Sequence, residues 1–496
     1  MLKRIDLGKY KWLVLIFTLS LLVRTIGVSH GFPFIFHPDE PAVVRSAVGI
    51  RFNLNPKHFD WPSLHFYLNF FIFSAFILFR SLLQILSLKE FVVSVYPILW
   101  RDPIIFYLIS RFFNSFIGAL TVIPIYLIGK RLFNEKVGLL SALILGLFPF
   151  HSYSSHFALV DVPMVFWLTW GVYFSSGILK ENHTKNYIYA GLFFGLSAST
   201  KYNGGLGLFT VVVAHFLRVF FYEKGKFFDI NGLSKLFISG LSSLLGFVVG
   251  TPYSVLDFDK FIRSDSPIGA LWQFTNVGKV DFVSHVQQFI LSLTFRFLND
   301  FGYSFLLLFV LSPIIFFKKQ IEKEGKLKSA FLFIPTIIFF YYISGFDKNR
   351  SHYYAITYPY VSLIGGYVLF LLSNLLYEKK KIFLLIIFFL VFIPPFFLIL
   401  KDDFLFLRKD TRVVLYDYIF DHQDKAGTVF YNSNSLSLVL DKFSNLKRKK
   451  ISKMSKKIFD KGIYLTTKPQ EGLNLMSKID NRLRRGPEIY LYEINH

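Results

Sequence analysis

The chain has 496 residues, 53% of them hydrophobic and only 18% charged, with 63 Phe and a mean hydropathy of +0.47; this excludes a water-soluble globular protein and indicates a polytopic membrane protein. The net charge of +23 is spread between apolar runs, as in cytoplasmic loops facing anionic lipid, so nucleic acid is not expected as a partner. There is no cysteine, which rules out disulfides, thiolate metal sites and cysteine nucleophiles.

The basic start Met1-Leu2-Lys3-Arg4, with Lys9 and Lys11, precedes an apolar run to Val28 that has no small-residue cleavage site. It reads as an uncleaved first span, residues 12–28, with the N-terminus inside. The outer loop that follows contains FIFHPDE, residues 34–40. Asp39 and Glu40 are adjacent carboxylates there, with His37 close before them. Pro38 and Pro41 lack an N–H and restrict their neighbours, which argues against a helix or sheet interior. Either this acidic loop at the lip of a membrane carries chemistry, or it is a solvated loop whose carboxylates favour the first turn of the next helix.

Residues 64–88 are apolar but interrupted by His65, Asn69, Arg80 and Gln84. If they cross the bilayer, Lys130, Arg131 and Lys136 fall outside. If they lie in the interface, those residues and the later basic loops (180–185, 223–226, 318–328, 378–381) fall inside, as the positive-inside rule favours. The remaining expected spans are then 104–128, 137–153, 162–178, 187–199, 204–221, 236–250, 301–317, 330–343, 356–376 and 382–400. With the first, these make about eleven crossings and put the C-terminus outside. Residues 1–401 are expected to form a transmembrane domain, with 31–103 its first outer loop. Residues 402–496 turn soluble in composition and read as a small extracytoplasmic α/β domain. Its basic stretch 447–457 is either a solvated face or a dock for anionic headgroups. No fixed-period repeat, P-loop, GxSxG or HExxH is present.

Four further stretches bear on chemistry. Asp161, before Pro163 at the outer start of a span, is either an N-cap or a second carboxylate of the Asp39 cavity. Lys201, within apolar sequence, either snorkels or aims its ammonium at a phosphate. Lys348, Arg350 and His352 precede an aromatic belt; each is ordinary at an interface, but with Lys201 they suit an anionic head group. Residues 250–258, GTPYSVLDF, read as a rigid exit from a span. Carboxylates and cations at one face, beside lipid, suit glycosyl transfer from a polyprenyl-phosphate sugar: a carboxylate takes the acceptor proton and cations stabilise the departing phosphate.

In order and spacing, His37-Pro38-Asp39-Glu40, Trp61-Pro62-Ser63-Leu64 with Tyr67, Arg111, Tyr126, Lys130–Phe133, Asp161, Thr200-Lys201, Thr251-Pro252-Tyr253 and the stretch from Arg350 to Pro359 resemble the family-39-like membrane glycosyltransferases of the GT-C superfamily. Relatives in that group include protein O-mannosyltransferases and lipid A aminoarabinose transferases. The resemblance covers roughly residues 10–400 and, more loosely, the tail from Asp410. It implies a GT-C fold of transmembrane and juxtamembrane helices. Asp39 would be the general base on the acceptor, with Glu40 holding the acceptor or orienting Asp39, and Asp161 the second acid. Lys201, Arg350 and His352 would bind the donor phosphate, and His37, Tyr253 and Tyr67 would line the cavity. No cofactor is expected, although His37, Asp39, Glu40 and Asp161 are hard ligands that a divalent ion would accept. The expected setting is a bacterial plasma membrane. Two other classes compete. A transporter would place its ionisable residues near the midplane, and a non-catalytic assembly protein would not need Asp39.

Overall fold

A computed structural model describes residues 10–50, 53–84, 104–223, 229–317, 323–377, 381–422, 427–451 and 462–494. The basic start, residues 85–88 and residues 452–457 lie outside that set. The chain divides into two compact units. One comprises Met1–Thr25 with Asp39–Ile399, the other Ile26–Pro38 with Leu400–His496.

The first unit is helical throughout. Among the described residues, six helices are long and apolar enough to cross a membrane: Ile104–Leu132, Tyr202–Tyr222, Ile230–Gly250, Glu324–Ser344, Ser351–Leu375 and Leu385–His422, the last running on past the unit's end. A seventh span arises if Glu135–Gly146 and Pro149–Ser155, bent by 58°, are counted together. The chain is thus a multipass membrane protein. Each expected span falls largely on helical residues, 12–28 as far as Thr25 and 137–153 as two helices, but among the described residues at most seven are long and apolar enough to cross. Lys11–Thr25, Asp161–Ile178, Thr184–Thr200 and Tyr303–Phe317, with 15, 18, 17 and 15 described residues, are not among the seven. At ~1.5 Å per residue Thr184–Thr200 runs about 26 Å, short of a hydrocarbon core of about 30 Å. Leu64–Gln84 is a helix, and its apolar part is among the shorter ones.

The bend has a local cause. Pro149 has no N–H to continue the preceding helix, and Phe148 before it is extended. Arg24, buried on Lys11–Thr25, donates from Nη1 to Gly146 O at 2.8 Å and from Nη2 to Leu145 O at 3.4 Å. A guanidinium on the last carbonyls of a helix suits both its unpaired acceptors and its dipole.

Small residues set the closest helix contact. Gly191 and Gly195 face Ser239 and Ser243, while Gly246 faces Leu192. Added Cβ atoms would lie 2.1, 2.1 and 2.4 Å from the opposing carbonyl oxygens. Stripping both faces to small residues lets the backbones of Thr184–Thr200 and Ile230–Gly250 touch. Where this pair ends, at Thr200 and Gly250, Ser199 Oγ meets Thr251 Oγ1 at 2.8 Å, and Thr251 Oγ1 accepts from Ser63 N at 3.2 Å. Thr251, in the stretch expected to be a rigid exit, therefore joins three helix ends.

The second unit carries a five-stranded sheet in the order β2-β1-β3-β5-β4, from β1 (Thr428–Tyr431), β2 (Lys447–Lys450), β3 (Gly462–Thr466), β4 (Asn474–Ile479) and β5 (Ile489–Ile494). β1 runs parallel to β2 and β3, and β5 antiparallel to β3 and β4. Leu415 and Ile419 on one helix, with Leu436 and Leu440 on another, pack on Val429, Ile463, Leu465, Ile489 and Leu491. Phe34, from the segment Ile26–Pro38, is buried with Val413 and Val439 in this unit. The guanidinium of Arg412 stacks 3.6 Å from the Phe36 ring centroid.

Candidate functional site

The helix Glu40–Gly49 begins inside the stretch expected to be loop, with Pro41 in its first turn, where a missing N–H costs nothing. Asp39 is its N-cap residue but makes no side-chain cap hydrogen bond. Glu40 is fully buried. Arg111 donates to it from Nε to Oε1 at 2.7 Å and from Nη2 to Oε2 at 2.8 Å, and Ala158 N donates to Oε1 at 2.9 Å. Both oxygens are thus committed to the protein. This geometry suits the orienting half of Glu40's expected role, because the carboxylate fixes the turn on which Asp39 stands.

The loop carrying Ala158 is itself clamped. Asn114 Nδ2 donates to Phe157 O at 2.7 Å and to Leu159 O at 2.6 Å. Asp161 then opens Asp161–Ile178, and its Oδ1 lies 2.5 Å from Lys201 Nζ. Lys201 is the C-cap of Thr184–Thr200, in extended conformation, where the chain breaks before a 3-10 turn. The pair is mostly shielded, with 11% exposure for Asp161 and 13% for Lys201. Lys201 Nζ also stands 5.3 Å from the Tyr353 ring centroid, a cation–π distance.

Tyr353 is where the predicted residues meet. Arg350, Asp161 and Asp39 all lie within electrostatic reach of its phenol. His352 packs edge-on against its ring, centroids 4.5 Å apart, and Asn203 Nδ2 donates to its carbonyl at 3.3 Å. Residues from four separate stretches of sequence thus surround one aromatic ring.

Two predicted residues sit elsewhere. Tyr67 donates to Leu54 O at 2.8 Å and Tyr253 to Asn53 O, so both brace the connection before Leu64–Gln84. His37 belongs to the second unit. Among the described residues, no three His, Asp or Glu are placed to hold a metal ion. Glu40's oxygens are taken by Arg111 and Ala158, and Asp161 Oδ1 by Lys201.

Two clusters escaped the sequence reading. Asp300 is buried, and burial pushes its carboxyl up to about 6, against the pull of Arg296 and Ser351. Arg296 donates to Ser351 Oγ and, at 2.9 Å, to Asn349 O, which supports the turn bearing Arg350. Before Leu64–Gln84, His58 Nδ1 meets Asp60 Oδ1 while its Nε2 lies 2.8 Å from Ser46 Oγ. Neither cluster is visible as a spacing, since each forms by tertiary contact between common residue types.

The chain is similar to known proteins in part of its sequence and in its fold. Residues 108–228 match the family model described as dolichyl-phosphate-mannose-protein mannosyltransferase. Over 162 residues the chain is 28% identical to dolichyl-phosphate-mannose–protein mannosyltransferase 1 of Saccharomyces cerevisiae, a match covering 30% of this chain but 18% of the yeast protein. In structure it is similar to apo ArnT from Cupriavidus metallidurans, with a TM-score of 0.52 and 12% identity over 98% of both chains. It is also similar to the archaeal oligosaccharyltransferase AglB from Archaeoglobus fulgidus in complex with an inhibitory peptide and a dolichol-phosphate, with a TM-score of 0.52, 12% identity, and coverage of 89% of this chain and 64% of AglB. The helical architecture, the small C-terminal sheet and these structural likenesses give the chain a fold of the GT-C type, like that of ArnT and AglB.

Proposed function

We propose that the protein transfers a sugar from a polyprenyl-phosphate donor to a hydroxyl of an extracytoplasmic acceptor, inverting the anomeric carbon. The observation that carries this reading is the grouping of Asp39, the Asp161–Lys201 pair and Arg350 around Tyr353. The lipid-phosphate donor is further supported by the dolichyl-phosphate-mannose description of the matching family and by the dolichol-phosphate in the AglB complex.

The acceptor oxygen attacks the anomeric carbon from the face opposite the phosphate, and Asp39 takes its proton. The bond from that carbon to the phosphate oxygen breaks, and its electron pair leaves with the lipid phosphate. Arg350 and Lys201, with His352 beside them, stabilise the added negative charge. Asp161 holds Lys201 in place without a long, floppy reach. Arg111 and Glu40 act through position, and the reaction as written needs no cofactor. In this reading the N-terminus is cytoplasmic, Leu64–Gln84 lies along the membrane surface, residues 402–496 are outside, and the membrane is a bacterial plasma membrane. Asp161, Lys201 and Arg350 sit at helix ends, not mid-helix, which favours surface chemistry over a midplane transport path.

The test is turnover of polyprenyl-phosphate sugars by purified protein in the presence of a cell-envelope extract. Asp39→Asn is expected to lower the rate by about 10²–10⁴-fold with donor affinity kept, the range for losing a general base. Arg350→Ala should instead weaken donor binding. Equal turnover by wild type and Asp39→Asn removes the mechanism.

A further inference from the structure

We propose that Gln273 and Asn276 read the hydroxyl groups of the donor's sugar, in a cavity whose other wall, Lys348 and Arg350, takes the phosphate. The proposal rests on the lipid-phosphate-donor reading above and adds the residues that distinguish one sugar from another.

The cavity has a volume of about 170 Å³ and is lined by Gln273, Asn276, Val277, Lys348, Arg350 and Tyr353. Its chemistry is divided. Among the described residues, neither Lys348 nor Arg350 is within ion-pair distance of a carboxylate, so both charges are available to an anion. Gln273 and Asn276 each offer an NH₂ donor and a carbonyl acceptor, the complement of a hydroxyl, which also donates and accepts. Val277 and Tyr353 complete the lining, which is mostly polar, as suits a hydroxyl-rich ligand. A bare lipid phosphate would use only the cations; a sugar phosphate uses every wall. Tyr353 links this cavity to the acid–base groups, since Lys201 stands over the same ring.

The amide wall is built, not incidental. Lys348 N donates to Val277 O at 3.3 Å and Val280 N to Gly345 O at 3.1 Å, which laces the end of Ala270–Asn276 to the turn before Arg350. Between these two bonds Gly278 has φ +72°, and a Cβ there would come 3.0 Å from the Asp347 Cβ. On the other side Phe59 N donates to Ile268 O at 2.5 Å, and Trp272 N to Arg263 O at 3.2 Å. The helix bearing both amides is therefore held against the cationic turn by backbone bonds.

The experiment measures binding to the full-length protein in nanodiscs, with four probes of one chain length: bare polyprenyl phosphate, and the same lipid carrying mannose, glucose or xylose. Wild type is expected to bind at least one glycosylated lipid about tenfold tighter than the bare lipid. Gln273→Ala and Asn276→Ala should each remove about fivefold of that preference, the worth of one hydrogen bond, and leave the bare lipid within about twofold. Arg350→Ala should weaken all four probes. Asn276 is exposed and Gln273 half-buried, so neither truncation opens a core, and a thermal transition matching wild type confirms the fold. Wild-type preference retained in the Gln273→Ala/Asn276→Ala double variant overturns the proposal while the donor reading stands. So does a wild type that binds bare and glycosylated lipids alike. Failure to bind any of the four overturns both.

Discussion

Arg111 grips Glu40 through two parallel hydrogen bonds, at 2.7 and 2.8 Å, with both side chains essentially closed to solvent. A buried, forked pair of this kind is costly to break on one side, because the survivor keeps its charge without its partner. Glu40→Ala or Arg111→Ala should each destabilise the protein by about 3–5 kcal/mol. The double variant Glu40→Gln/Arg111→Met should lose clearly less than the two single losses combined. Thermal unfolding in detergent measures all three. Strict additivity would mean that the pair is not the unit on which the Asp39 turn rests.

The glycine contact gives a prediction with its own internal control. On Gly191 an added Cβ falls 2.1 Å from the Ser239 carbonyl oxygen, while on Gly240, in the facing helix, it meets nothing within 4 Å. Gly191→Ala must push two backbones apart, at a cost of about 1–3 kcal/mol, the range for overpacking. Gly240→Ala should be neutral or slightly stabilising. Gly191→Ala should also reduce turnover, because Lys201 caps the displaced helix. Equal melting temperatures for the two variants would count against the close approach.

Asp161, Lys201 and Arg350 were legible in the sequence because a charge at the edge of an apolar run needs a reason. The helices were legible because apolar run length reports the bilayer directly. What stayed hidden depends on contacts distant along the chain. Glu40 and Arg111 are 71 residues apart, and nothing local to either announces the other. Gln273 and Asn276 are ordinary amides until the turn at Gly345 folds against them. The Lys447–Lys450 strand reads only as a basic run, since lysine favours no strand; it becomes β2 by pairing with β1 at the sheet edge. The Glu40 helix was taken for loop because two prolines flank the acidic pair, yet one of them falls in a first turn, where proline is at home.

Ser46, His58 and Asp60 have the contacts of a nucleophile, a base and its orienting acid, but the hydrogen-bond pattern argues against reactivity. Ser46 Oγ donates its one proton to Ala42 O at 2.5 Å. His58 Nε2 lies 2.8 Å from Ser46 Oγ and Nδ1 meets Asp60, but with its proton directed to the Ala42 carbonyl the serine hydroxyl presents none to the ring. Ser46 also lies inside Glu40–Gly49, where backbone N–H groups serve the helix and none is offered as an oxyanion hole. We predict no labelling of Ser46 by a fluorophosphonate probe, and Ser46→Ala turnover within about threefold of wild type, consistent with the loss of one hydrogen bond. Labelling that vanishes in Ser46→Ala would reverse this view.

Asp300 yields the pH prediction. It lies outside the six long apolar helices, at the foot of the turn that carries Ser351. Its carboxyl titrates near 6 in the folded protein, against 3.8 for an ordinary aspartate, because burial disfavours the charged form more than Arg296 and Ser351 favour it. Between those two values the folded state holds a proton that the unfolded state has released. The contribution of this group to stability therefore falls as pH rises from about 4 to about 6 and is flat above. Asp300→Asn, which cannot ionise, should flatten that segment of the stability curve and be more stable than wild type at pH 7, provided the amide keeps the Ser351 hydrogen bond. Melting temperatures of the two proteins from pH 4 to pH 8 make the comparison. Parallel curves across the window would show that Asp300 titrates as an ordinary aspartate and that its burial is relieved in solution.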